Sequence, residues 1–265
     1  MTTFRLLWRY RTLIGVLVRR ELNARYRASV LGYLWSMLNP LLLLLVYTVV
    51  FTTVFTPRVA GENPYALFLF SGLLPWLFFS SALLDSAITL VDNGPLLAKV
   101  MCPPEVFPAV TVLAHLVHHI LALPVLLAAL VAAHLLGLHP FPWTVVFLPL
   151  ALAPWVVLTA GLAFGIAALA VHFRDLRDIV GNVLNLLFFA SPIIYSLHSI
   201  GSPLVLRILR LNPLASLVTV YRDLAFTGTF SPPVEWVIAW GSALAAWLVG
   251  SWIFNRLRDT LVEAV

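Results

Sequence analysis

Residues 106–173 read VFPAVTVLAHLVHHILALPVLLAALVAAHLLGLHPFPWTVVFLPLALAPWVVLTAGLAFGIAALAVHF. These 68 residues lie between Glu105 and Arg174 and contain no Asp, Glu, Lys or Arg. A helix crosses about 30 Å of hydrocarbon with about 20 apolar residues, so the stretch is too long for one crossing. Its break is Gly137-Leu138-His139-Pro140-Phe141-Pro142-Trp143, where a glycine and two prolines mark a turn. Two consecutive spans follow, at about 105–136 and 143–171. Hydrocarbon offers the backbone no hydrogen-bond partners, so each must be a helix.

The same reading extends in both directions. Charge-free runs of 30, 22, 28 and 20 residues separate Arg27 from Arg58, Glu62 from Asp85, Asp178 from Arg207, and Glu235 from Arg256. They place further spans at about 32–56, 65–89, 179–197 and 234–255, six in all. Only 10% of the 265 residues are charged and 62% are apolar. An ordinary soluble domain carries roughly 25% charge. A water-soluble enzyme is therefore excluded, and so is a disordered chain, which needs low hydrophobicity. A single cysteine, Cys102, excludes a disulfide framework and a multi-cysteine metal site.

The net charge of +5 is a topology signal. Six spans put both termini on one side. That side takes Arg5, Arg9, Arg11, Arg19, Arg20, Arg25, Arg27, Lys99, Arg174, Arg177, Arg256 and Arg258, which is 12 of the 16 basic residues. Arg58, Arg207, Arg210 and Arg222 fall on the other. The positive-inside rule makes both termini cytoplasmic. Nucleic acid is not an expected partner. Ahead of the first span, Thr12-Leu13-Ile14-Gly15-Val16-Leu17-Val18 runs into Arg19, Arg20 and Glu21 with no small-residue cleavage site, so no cleaved signal is expected. At 100° per residue the arm instead forms a two-faced helix. Arg5, Arg9, Arg19, Arg20, Asn23 and Arg27 share one face; Leu6, Leu7, Tyr10, Leu13, Ile14, Leu17 and Val18 take the other. Residues 1–31 thus read as an interfacial helix and turn on anionic lipid, and 32–265 as the membrane domain.

The expected chemistry is sparse. The only lysine, Lys99, follows Ala98, so no Gly-Lys-Ser/Thr phosphate loop exists here. The spans lack the mid-membrane acids and bases of a proton relay. Active transport then needs energy from another subunit. His115, His118 and His119 lie at i, i+3 and i+4 on the third span, a spacing seen in haem or metal ligation. The facing spans offer no matching histidine, so neutral histidines bonded to neighbouring helices are the simpler reading. Trp35, Trp143, Trp236 and Trp252 fall near interfaces, while Trp76, Phe78, Phe79, Trp155, Phe188 and Phe189 lie within spans. Most aromatics inside spans pack against helices or lipid; the alternative reading, an aromatic-lined conduit through Trp35, Trp76, Phe78, Phe79, Phe188, Phe189 and Tyr195, would suit sugars, whose C–H faces stack on rings. Between the second and third spans, residues 96–101 predict a short helix ended by Pro103-Pro104. The segment 198–233 predicts two amphipathic helices, the second starting at Pro213.

A family resemblance emerges from these residues. Arg25-Tyr26-Arg27-Ala28-Ser29-Val30-Leu31-Gly32-Tyr33-Leu34-Trp35-Ser36-Met37-Leu38-Asn39-Pro40 resembles the opening signature of membrane subunits of type-2 ABC exporters for polysaccharides and polyol phosphates. Gly72-Leu73-Leu74-Pro75-Trp76-Leu77-Phe78-Phe79 is similar to that family's second span, and His172-Phe173-Arg174-Asp175-Leu176-Arg177-Asp178 to the loop before its fifth. Ser191-Pro192-Ile193-Ile194-Tyr195 and Leu211-Asn212-Pro213-Leu214 resemble its outer region. Met101-Cys102-Pro103-Pro104-Glu105 departs from it, since relatives carry a more basic stretch there.

The resemblance implies a transport subunit rather than an enzyme. It implies a second copy of the chain, two cytoplasmic ATPase subunits that carry the ATP and magnesium, and a lipid-linked glycan of the O-antigen or teichoic-acid kind. It places the protein in a bacterial inner membrane. It assigns ATPase coupling to about 92–101, with Asp92, Asn93, Leu96, Leu97, Lys99 and Val100. It puts headgroup access at Arg25, Arg27, Leu31 and Gly32. An outer gate falls at about 203–226, with Arg207, Arg210, Asn212, Pro213, Tyr221 and Arg222. The rival readings are an exporter of a drug or small lipid from the same superfamily, a haem-binding bundle, and a membrane acyltransferase.

Overall fold

The computed structural model describes residues 3–27, 29, 31–50, 64–99, 102–197 and 200–264. The described residues form twelve α-helices and no strand. They are α1 (Thr3–Arg9), α2 (Arg11–Tyr26), α3 (Trp35–Val49), α4 (Tyr65–Ser86), α5 (Thr89–Asp92), α6 (Gly94–Lys99), α7 (Val106–Leu135), α8 (Leu148–Ala170), α9 (Leu176–Ala190), α10 (Pro203–Leu211), α11 (Pro213–Arg222) and α12 (Pro233–Ala264). The chain is an all-α, multi-pass membrane protein. Among the described residues, five helices are long and apolar enough to cross a bilayer: Gly32–Val49, Tyr65–Ser86, Val106–Leu135, Trp143–Ala170 and Pro233–Arg258. A sixth is reached if α10 and the helix from Pro213 to Thr227, bent by 91°, count as one broken span.

One expected span is shorter than read. Residues 179–197 were expected to form it, whereas its helix, α9, starts at Leu176 and stops at Ala190 after 15 residues. At 1.5 Å per residue it rises about 22 Å. The cause is local. Ser191 precedes Pro192 and takes an extended conformation, φ −107° and ψ 146°, as the ring of a following proline requires. The same rule sets the bend that follows. Ser202 and Asn212, each before a proline, are also extended, and α10 and α11 begin at those prolines.

α4 is apolar all round and is buried along nearly its whole length, as expected of a helix at the centre of a bundle. Phe70, Phe79 and Ala82 are essentially sealed. α8 and α12 lie against each other through small residues. Ala163, Ala167, Ala168, Ala239 and Ala243 are fully enclosed, and Gly161 and Gly165 of α8 form a small-xxx-small pair. Lipid tails are as apolar as leucine, so helices associate in a bilayer through close contact rather than through hydrophobicity. At the other extreme, α3 buries only Ser36 and Leu44, and α9 buries only Val180 and Leu184.

The N-terminal arm is two helices rather than one, with Tyr10 at the joint. Leu6, Ile14 and Leu22 are buried, and Ile14 packs on Val106 and Val110 at the start of α7. The turn from α2 into α3 passes through Gly32 at φ +51°, a left-handed conformation that glycine adopts without steric penalty. The last part of the first expected span, 51–56, lies outside the described residues.

Candidate functional site

Polar side chains gather where the end of α2 meets α3, α4 and α7. Arg25 Nη2 donates to Asp85 Oδ2 at 2.9 Å. The Nε2–H of His115 donates to the same oxygen at 2.7 Å. Beside them, Tyr26 and Ser36 hydroxyls share a short contact, and both reach His118 Nδ1, at 3.0 and 2.9 Å. His119 Nδ1 donates to the Leu74 carbonyl at 3.3 Å, and Tyr221 OH donates to its Nε2 at 3.3 Å. The three histidines thus serve helix contacts, and no group of three His, Cys, Asp or Glu among the described residues is placed to hold a metal. A cavity of about 500 Å³ opens here. Arg25, Tyr26, Ser36 and Asn39 line it at the α2 end, and Leu43, Leu74 and Ala122 line it further along the helices. Arg27 and Leu31 are exposed at the turn, beside Gly32.

The expected coupling segment folds as two short helices, α5 and α6, hinged at Asn93. Asn93 Nδ2 donates to the Thr89 carbonyl at 2.8 Å, and the Asn93 carbonyl accepts the N–H groups of Leu96 and Leu97, both at 3.0 Å. Leu96 and Leu97 pack inward, onto the cluster formed by Leu90, Phe107, Phe164 and Phe254. Val91, Asp92 and Pro95 face outward. α6 ends at Lys99; Val100 and Met101 lie outside the described residues. Beyond them, Glu105 is 1% exposed, and its Oε1 accepts from Arg258 Nε at 3.2 Å. That ion pair ties the far end of the segment to α12. Burial, aided by the negative charge of Glu105, pushes the Cys102 thiol pKa up from its ordinary value.

The expected gate divides into exposed and internal parts. Arg207 and Arg210 lie on the exposed surface of α10. Asn212 is the cap of α11. Its Oδ1 accepts from the Leu214 N–H at 3.0 Å, and its Nδ2 donates to the Ala190 carbonyl at 3.1 Å. Asn212 therefore joins the end of α9 to the start of α11 at Pro213. Tyr221 and Arg222 are buried, at 0% and 6% exposure. Arg222 Nη1 and Nη2 donate to the carbonyls of Pro192 and Ile193 at 2.6 and 2.8 Å. Its guanidinium also lies 3.8 Å over the Phe68 ring. The space it fills exists because residue 72 is glycine; a Cβ there would overlap Arg222.

The expected conduit aromatics divide in the same way. Trp76 and Phe79 are buried in the helix bundle; Trp76 lies 5.6 Å from Phe79 and 5.7 Å from Phe188. Phe78 is buried but borders the 500 Å³ cavity, as does the exposed Trp35. Phe189 is exposed, and Tyr195 OH donates to its carbonyl at 3.1 Å.

The sequence reading passed over a further feature. Asp178, Asn182, Asn185 and Phe189 follow one another at intervals of four, three and four on α9, which places them on one face, and all four are exposed. Polar side chains on a membrane helix face protein or water rather than lipid. The spacing was readable in the sequence. The Asn residues were hidden by a reading that counted charges only.

Comparisons with known proteins agree with this architecture. Residues 12–226 match the family model described as ABC-2 type transporter. The chain is 38% identical over 262 residues to "O-antigen export system permease protein RfbA" of Myxococcus xanthus, covering 98% of this chain and 97% of that protein. It is 32% identical over 252 residues to a protein of the same description from Klebsiella pneumoniae, covering 95% and 94%. It is 25% identical over 223 residues to "Polysialic acid transport protein KpsM" of Escherichia coli, covering 84% of each. The chain belongs to the ABC-2 type transporter family of membrane proteins.

Proposed function

We propose that this chain is the membrane subunit of an ATP-driven exporter that moves a lipid-linked polysaccharide, O-antigen-like or teichoic-acid-like, across the bacterial cytoplasmic membrane. The observation that carries the reading is its near full-length similarity to a permease named for O-antigen export. ATP and magnesium are held by two copies of a cytoplasmic ATPase, since the chain's only lysine stands outside any phosphate loop. That ATPase docks on the outward face of α5 and α6, and both termini are cytoplasmic, on the side of most basic residues.

Two copies of the chain form the conduit. α3 and α9 supply its walls because each buries only two of its residues within one protomer. The polar face of α9 supports this, as Asp178, Asn182 and Asn185 need water or a partner opposite them. Trp35 and Phe189 provide stacking surfaces for sugar rings. A phosphate-bearing headgroup is drawn to Arg25 and Arg27, which pair with phosphate oxygens bidentately. α10 and α11 form the gate on the far side.

Deleting the gene tests the reading. Loss of surface polysaccharide together with intracellular build-up of the lipid-linked form is the expected phenotype. Normal surface glycan with a defect in efflux of a drug or small lipid would move the assignment to the rival substrate class.

A further inference from the structure

Arg25, offered above to a phosphate, is already engaged by a carboxylate. Its guanidinium and Asp85 pair at 2.9 Å, with side chains 38% and 37% exposed, so a ligand can reach both. Phosphate and carboxylate compete for the same N–H fork. His115 holds the contested Asp85 oxygen from the α7 side. Asp85 stands in the last turn of α4, one residue before its end, and the chain then turns through Ala87 and Ile88 into α5.

α2 carries a second contact to the same segment. Arg20, five residues before Arg25, donates from Nη2 to Asn93 Oδ1 at 3.3 Å. Asn93 is the hinge between α5 and α6. α2 therefore grips the α4–α6 segment at two points, one open to a ligand and the other at the coupling hinge. A polar cavity of about 290 Å³ lies between them, lined among others by Arg20, Glu21, Arg25, Asp85, Asp92 and Asn93.

We infer that Asp85 is a positioning residue that reports headgroup occupancy to the coupling helices. In the empty transporter it holds Arg25 and closes α2 onto α4. A lipid-borne phosphate takes its place on Arg25, the grip loosens, and α6 becomes free to move against α2. The inference rests on the reading of Arg25 as a phosphate contact and of α6 as the ATPase dock.

The test measures the α2–α5 distance by spin labels at Val16 and Val91, both exposed, in the full chain with Cys102→Ser. The protein sits in phosphatidylcholine vesicles with or without a long-chain alkyl phosphate. A narrow distance distribution is expected without the phosphate lipid, and a longer, broader one with it. Asp85→Asn should give the longer distribution with no lipid added, while Asp85→Glu keeps the native pair of states. Inorganic phosphate in solution should leave the distribution unchanged. A distance that ignores both the alkyl phosphate and Asp85→Asn overturns the inference. An equal response to inorganic phosphate overturns the lipid-borne ligand. If Asp85→Asn does not fold, the lipid arm and Asp85→Glu still decide. A parallel ATPase assay separates the two readings. A spin-label response without any associating ATPase refutes the exporter assignment and leaves Asp85 only as a phosphate-sensitive clamp between α2 and α4; roughly fivefold ATPase stimulation by the alkyl phosphate, lost in Arg25→Gln, supports both.

Discussion

Gly250 of α12 lies against Gly161 of α8 so closely that a Cβ on Gly250 would overlap the Gly161 carbonyl oxygen, and a Cβ on Gly161 would overlap the Ala246–Trp247 backbone. With no hydrophobic drive between helices inside lipid, this approach is what α8 and α12 have in place of bulky side chains. Gly161→Val or Gly250→Val should therefore separate the two helices and destabilise the protein by about 1–3 kcal/mol or more. Thermal unfolding in detergent checks it. Gly241, with open space around its Cβ position, should tolerate Gly241→Ala within about 1 kcal/mol.

Arg222 is a fastener of the bent pair α10 and α11. Removing a charged donor from two buried carbonyls costs about 1–3 kcal/mol for each group left unsatisfied. Arg222→Met should loosen the turn at Pro192 and Ile193 and speed amide hydrogen exchange there, while the α8–α12 region keeps its protection. Gly72→Ala should produce the same local signature, because the added methyl overlaps the guanidinium. Hydrogen exchange followed by mass spectrometry reads both.

Cys102 lies outside the spans, and both burial and the Glu105 charge raise its thiol pKa. The thiolate is the reactive form. Alkylation by a small reagent should accordingly be slower at neutral pH than for an exposed cysteine, and should accelerate as pH rises. Glu105→Gln removes one of the two causes, so the reactivity profile should move toward lower pH. Mass-spectrometric labelling rates across a pH series check this.

Much of the fold was legible because charges punctuate a membrane chain. Glu105 and Arg174 bracket α7 and α8, and Gly137 to Trp143 mark the turn between them. The end of α9 was missed because the charge-free run from Asp178 to Arg207 carried the expected span past Pro192, whereas the extended Ser191 before it ends the helix. The resemblance put Arg222 in an outer gate without showing its partners; three-dimensional folding supplies the Pro192 and Ile193 carbonyls that let it be buried. The Asp85–His115 pair joins positions 30 residues apart, and no periodicity in one helix could have shown it. A short helix was expected over residues 96–101 and α6 runs from Gly94 to Lys99, but its joint with α5 at Asn93 depends on a side-chain contact to the Thr89 carbonyl.

The end of the segment after α6 gives another prediction. Glu105 is buried and Arg258 is 41% exposed, so Arg258→Gln leaves a buried carboxylate with its partner removed. The loss should be about 1–2 kcal/mol, reduced from the fully buried case by solvent around the guanidinium. If the segment couples to an ATPase, transport should fall by more than the loss of folded protein accounts for. Transport rate normalised to folded, membrane-inserted protein separates the two effects.

The central claim is that this chain is a conduit driven by a separate ATPase. Its most direct measurement is co-reconstitution of the chain with the cytoplasmic ATPase in vesicles, followed by counting lipid-linked glycan protected from external enzymes. ATP-dependent transfer that needs both proteins, and that is abolished by Leu97→Pro in α6 with membrane insertion intact, is the predicted result. Transfer without the ATPase, or full transfer by the Leu97→Pro variant, would contradict the account.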